Sequence, residues 1–151
     1  VLSGGADKTV RLINVETGTE VRKYTGPTQS VYTVAFSPDG KSIAAAGVGL
    51  GGKRSIYLWA IANPKPVKEI DGRKGDIYRV RFHPTKANRL LAADYTGVIH
   101  IWDTGSAKSL FTTRLANPPI YSAAYSSDGK QIVTGARDAK AYLIPVPANA
   151  Q

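Results

Sequence analysis

Three stretches of the chain align without gaps: VYTVAFSPDGK (31–41), IYRVRFHPTKA (77–87) and IYSAAYSSDGK (120–130). A second set, KTVRLIN (8–14), RSIYLWA (54–60), GVIHIWD (97–103) and AKAYLIP (139–145), aligns in the same way. Ile13, Trp59, Trp102 and Ile144 close the second set at spacings of 46, 43 and 42 residues, and Val31, Ile77 and Ile120 open the first at 46 and 43. Two independent sets of anchors agree on one period. A unit of this length cannot bury its apolar face alone and is stabilised by stacking on its neighbours.

Within each unit the residues read as short strands joined by turns. A first strand carries Val34 and Phe36, Val80 and Phe82, or Ala124 with Ala123 and Tyr125. Asp39-Gly40 and Asp128-Gly129 then supply the dihedrals of a tight hairpin. The second strand is small and apolar (SIAAAG, RLLAAD, QIVTGA), and the third is the block ending in Ile or Trp. A fourth follows as EVRKYT, PVKEID or SLFTTR. Helical periodicity is not sustained anywhere, so the expected class is all-β.

A chain of 151 residues with 42% hydrophobic and 21% charged side chains has the composition of one folded domain. Its uncharged stretches are too short for a membrane-spanning helix, and no membrane partner is expected. The lack of cysteine removes disulfides, thiolate metal sites and cysteine nucleophiles, and two histidines cannot build a multi-histidine metal centre. A net charge of +9 favours acidic partners. No cofactor is expected, and the composition does not indicate a compartment.

A four-strand unit of this period, ending its third strand in Trp102-Asp103, resembles the WD-repeat β-propeller family, in a bacterial-type form with degenerate repeats. Asp7 and Asp138 match that family's turn aspartate, Ser3 and Thr134 its second-strand hydroxyl, and Trp59 and Trp102 its tryptophan. The family's Gly-His is replaced by Gly26-Pro27, Gly72-Arg73 and Leu115-Ala116. Lys53 and Thr96 stand at the turn aspartate in two units, and Ile13 and Ile144 at the tryptophan in the others. No unit therefore holds the whole Asp–His–Ser/Thr–Trp set, and the blades are expected to rely on apolar packing. The resemblance implies two complete four-stranded antiparallel blades (31–71 and 72–115) between two incomplete ones (1–30 and 116–145), with a tail at 146–151. It also implies the C-terminal half of a larger propeller. A start at Val1 reads as an excised or processed piece, and PVPANAQ as a natural end.

The candidate sites follow from this frame. Gly47–Lys53 (GVGLGGK) formally satisfies two phosphate-loop patterns, but SIYLW behind it opens a strand, so it reads as an expanded hairpin loop. His83 and His100 occupy repeat positions that hold unrelated side chains elsewhere and read as structural. Between 72 and 89, Arg73, Lys74, Arg79, Arg81, Lys86 and Arg89 are balanced by one acid in the sequence, Asp76; they form either a solvated blade face or a docking patch for an acidic protein segment or nucleic-acid phosphates. Tyr32, Tyr78 and Tyr121 recur directly after the residue that opens a first strand. In the family that strand lines the central channel and starts near the face used for partners. Asp76, Tyr95 and Arg137 belong near the same face by position. The expected function is a non-catalytic protein-interaction scaffold, whose partner is another protein or the missing half of its own propeller, with a homodimer through open blade edges as a further possibility. Two alternatives remain: an accessory domain of a larger enzyme, as in bacterial segments fused to kinase or cytochrome-type domains, and a nucleic-acid-binding surface at 72–89.

Overall fold

The computed structural model describes residues 1–48, 55–71, 75–115 and 119–151. These residues form fourteen strands in four antiparallel sheets. The first sheet contains β1 (Leu2–Gly4), β2 (Val10–Ile13) and β3 (Glu20–Tyr24). The second orders β4 (Ser30–Phe36), β5 (Ser42–Val48), β6 (Ser55–Ala60) and β7 (Lys68–Asp71). The third orders β8 (Ile77–Phe82), β9 (Arg89–Asp94), β10 (Val98–Asp103) and β11 (Lys108–Arg114). The fourth has β12 (Ile120–Tyr125), β13 (Gln131–Ala136) and β14 (Ala141–Pro145). Every sheet pairs strands in chain order, as expected for blades of a propeller, two of them complete and two three-stranded.

The hairpins that open the second and fourth sheets follow from their turn residues. Gly40 and Gly129 take φ of +68° and +72°, where a side chain would be strained. Asp39 Oδ1 accepts from Ser37 Oγ (2.5 Å) and Lys41 N (3.1 Å). Asp128 Oδ1 repeats the arrangement with Ser126 Oγ (2.6 Å) and Lys130 N (3.0 Å). Each carboxylate thereby satisfies a turn amide that the short hairpin cannot pair internally.

The middle strands explain why the sheets stack. In β5, Ile43 and Ala45 join a core against the first sheet with Val10, Tyr24, Val31, Tyr57 and Trp59. Their neighbours Ala44 and Ala46 face the other way, into a core with Val80, Phe82, Leu90, Ala92 and Trp102 of the third sheet. In β9 the alternation recurs, with Leu91 and Ala93 packing on Ile120, Ala123 and Ile132 of the fourth. Strand side chains alternate between faces, so a strand buried on both sides must read as a continuous apolar run. This is the reason for SIAAAG and RLLAAD.

Adjacent sheets are also joined by polar contacts. Tyr24 Oη donates to Ile61 O (2.6 Å), Arg22 to Ala62 O (2.6 Å), and Trp59 Nε1 to Thr25 O (3.2 Å). Between inner strands, Val80 N donates to the buried Thr33 Oγ1 (3.1 Å). The tail is part of the core: Val146 and Ala150 are buried against the third and fourth sheets, and Lys86 Nζ donates to Gln151 O at 2.8 Å.

Trp59 is fully buried and rings with Tyr24 and Tyr57 at 5.9 and 6.0 Å. Trp59→Ala is therefore expected to destabilise the chain by about 3–5 kcal/mol. A lower urea midpoint with little change in slope would show it; an unchanged midpoint would contradict this account of the junction between the first two sheets.

Candidate interaction face

The first strands of the second, third and fourth sheets break register at the same place. Val31 pairs with Gly47 and Thr33 with Ala46, which leaves Tyr32 unpaired. Ile77 pairs with Asp94 and Arg79 with Ala93, leaving Tyr78. Ile120 pairs with Ala136 and Ser122 with Gly135, leaving Tyr121. A bulge of this kind inserts one residue into a ladder and re-aims its side chain. Here it turns the residue after each buried opener out of the sheet, and in all three strands that residue is tyrosine.

The three rings meet. Tyr78 packs edge-on against Tyr32 (5.1 Å between centroids) and Tyr121 (5.8 Å), and tilts against Tyr95 at 5.9 Å. Edge-to-face geometry is the favourable arrangement for rings with negative faces and positive edges. Tyr32, Tyr95 and Tyr121 remain 61%, 45% and 50% exposed, while Tyr78 sits half-buried between them. Burial first, and then the Asp76 carboxylate, hold the Tyr78 hydroxyl proton more tightly than usual. Asp76 is half-buried, and its carbonyl accepts from Tyr95 N at 2.8 Å. Arg137 is exposed in the turn after β13, where its backbone N–H reaches Pro119 O (3.1 Å).

The turn that carries Tyr95 depends on a residue the repeat alignment passed over. Asp94 is buried, and its Oδ1 accepts from Thr96 N (2.9 Å), Thr96 Oγ1 (2.8 Å) and Val98 N (2.9 Å). The alignment pointed instead to Thr96, which is the donor. An Asp with Thr and Gly two and three residues on, as in Asp94-Tyr95-Thr96-Gly97, is nevertheless an Asx-turn signature visible in the sequence. In the outer sheets the aligned aspartates bind within their own sheet: Asp7 holds Thr9 and Arg11, the latter at 2.5 Å, and Asp138 accepts from Tyr142 Oη. Ser3 is exposed, and Thr134 Oγ1 is buried without a hydrogen-bond partner among the described residues.

The basic stretch separates into different environments. Arg89 pairs with Asp103 at 2.5 Å, directly across β9 and β10, and Lys86 holds the tail. Arg79 and Arg81 lie half-buried on β8, and Arg73 and Lys74 fall outside the described residues. Of the glycine-rich loop, residues 49–53 also fall outside them, while Gly47 and Val48 end β5.

The sequence profile of the WD domain, G-beta repeat, matches residues 18–60, 64–103 and 108–144. The chain belongs to the WD-repeat family. Each matched WD repeat begins at or just before the last strand of one sheet and ends on the third strand of the next, so every repeat ties two blades together. The chain is 29% identical over 101 residues to protein tipD of Dictyostelium discoideum, covering 67% of this chain and 16% of that protein. It is 23% identical over 144 residues to the transcriptional corepressor LEUNIG_HOMOLOG of Arabidopsis thaliana (95% and 17%). It is 25% identical over 147 residues to the target of rapamycin complex subunit wat1 of Schizosaccharomyces pombe (94% and 44%). The chain thus spans less than half the length of each of these relatives. All three are eukaryotic, so the bacterial type expected from the sequence has no support.

His83 replaces the serine that Ser37 and Ser126 supply at the equivalent turns. It is 2% exposed, its Nδ1 accepts from Thr85 N (3.3 Å), and its ring stacks edge-on against Tyr125 at 5.0 Å. Nε2 abuts Gly129, where an added Cβ would come within 1.9 Å, and has no hydrogen-bond partner among the described residues. Burial, then Lys86 and Arg89, push the imidazole pKa down, against an opposing pull from the Gly129 backbone and Asp128. The unfolded chain therefore binds this proton more readily than the folded one. Stability is expected to fall as pH drops through about 6.5 towards the depressed folded value. Urea midpoints between about pH 7.5 and 5 should show that slope in the wild type and a flatter one in His83→Ser; equal slopes would contradict it.

Proposed function

We propose that this WD-repeat chain is a non-catalytic protein-interaction scaffold whose docking face is the tyrosine cluster Tyr32, Tyr78, Tyr121 and Tyr95, with Asp76 and Arg137 at its margin. The observation that carries this reading is the threefold recurrence of the bulge. One bulge next to tyrosine is a local accident; three that converge their rings on one exposed patch form a surface. Tyrosine suits such a role because it offers a large, rigid ring with few rotamers to freeze and a polar end that tolerates water. The stacked sheets hold the rings in fixed relation, which lowers the ordering cost of binding.

The names of two relatives agree with an interaction role, one being a corepressor and another a subunit of a complex. A further blade, from the same protein or a second copy, is the partner we place on the outer face of the fourth sheet. Val133 and Leu143 are 44% and 63% exposed there.

Peptides selected on the chain from a random display library are expected to bind the tyrosine patch. Tyr78→Ala should then weaken a selected peptide by at least about tenfold, the cost of losing an interface hot spot. Tyr121→Ala, at an exposed position, should weaken it with only a small drop in melting temperature from the lost ring contact. Selected peptides indifferent to both substitutions would remove this face as the docking site.

A further inference from the structure

Beyond the tyrosines, β8 carries two cations whose surroundings do not balance them. Arg79 and Arg81 are half-buried on β8, and neither forms an ion pair with a carboxylate of the described residues. Arg81 reaches across to β4, where it donates to Val34 O (3.3 Å) as well as to Val80 O (3.2 Å). Arg79 Nε is buried with no acceptor among the described residues. Burial and then the charge of Arg79 make the Arg81 guanidinium easier to deprotonate than usual. Two neighbouring, partly desolvated like charges cost free energy that a bound anion would recover.

Beside Arg81 lies a cleft of about 330 Å³, lined by Val1, Leu2, Val34, Ala35, Phe36 and Phe82. Its wall is aliphatic and aromatic, and Phe36 is 41% exposed. The same strands, β4 and β8, therefore present tyrosines at their start and an apolar cleft with an unbalanced guanidinium further along.

We propose that Arg79 and Arg81 form an anion-accepting step, and that the occupant of the docking face is an acidic polypeptide segment. The segment sets a carboxylate against these guanidinium groups and an apolar side chain into the cleft. This rests on the reading of the tyrosine patch as a docking face and names its partner class. Arg presents a planar fork that matches a carboxylate in two parallel hydrogen bonds. Nucleic-acid phosphates fit less well. The wall around Arg81 is apolar, and Lys86 and Arg89, which would extend a phosphate track, are committed to Gln151 and Asp103.

Peptides selected on the wild-type chain are expected to be rich in Asp and Glu, with an aliphatic or aromatic residue close by. For a synthetic peptide of that kind, Arg81→Gln and Arg79→Gln should each weaken binding by about tenfold. The difference from wild type should shrink as salt rises. Arg81→Lys keeps the charge without the fork and should recover part of the affinity, and thermal melts of all three variants identify any that fail to fold. Peptides without acidic enrichment, whose binding survives Arg81→Gln and Arg81→Lys but not Tyr78→Ala, would overturn the anion step and leave the tyrosine face standing. A fluorescent thymidine oligonucleotide bound more tightly than the peptide, and released by the same arginine substitutions, would overturn it in favour of phosphate. Binding indifferent to Tyr78 and Arg81 alike would sink both readings.

Discussion

Burial of the middle strands on both faces is the constraint from which the other features follow. Ile43 and Ala45 need one neighbouring sheet, and Ala44 and Ala46 need another. A sheet with two such faces has no solvated side to expose, so it stacks face to face rather than standing alone. Small residues on these strands let the sheets approach, while Trp59, Trp102, Phe82 and the buried isoleucines fill the gaps. At roughly 1.5–3 kcal/mol for each fully buried large apolar side chain, this packing is the main source of cohesion. The buried polar set expected of the family is incomplete in every repeat, and what polar bonds join the sheets end mostly on backbone carbonyls.

Stacking fixes the position of the inner strands, and the bulges then decide what those strands display. Without a bulge the residue after Val31, Ile77 or Ile120 would keep the ladder's alternation. With it, the opener stays buried and the following ring turns outward. A rigid assembly can hold four tyrosines in contact on a surface where a flexible loop would have to order them at each binding event. The same rigidity keeps Arg79 and Arg81 close together despite their repulsion, and this is the basis of the proposed anion step.

Much of this was legible in the residues. Turn pairs such as Asp39-Gly40, the double-sided apolar runs and the repeat spacing give the strands and their order, because each rests on local chemistry or strict alternation. The tyrosines were legible as a recurrence but not as a cluster, since a bulge adds no distinctive residue and contact between blades is set by stacking. Arg89 looked free when charges were merely counted along the chain. Its partner Asp103 lies 14 residues away and is found only through the strand register. Residues 146–151 look like loop by composition, yet two small apolar side chains there, Val146 and Ala150, suffice to dock them on the core. Asp94 stands outside the repeat alignment, and only its Asx-turn chemistry marks it.

Three separate strands deliver their tyrosines to one place. Ring-to-ring nuclear Overhauser effects in a chain labelled only at tyrosine test it without reference to any partner. The account predicts cross-peaks from the Tyr78 ring to both Tyr32 and Tyr121, assigned by single Tyr→Phe substitutions, as centroid separations of 5.1 and 5.8 Å require. A Tyr78 ring that shows contacts to neither, in a chain that melts cooperatively, would contradict it.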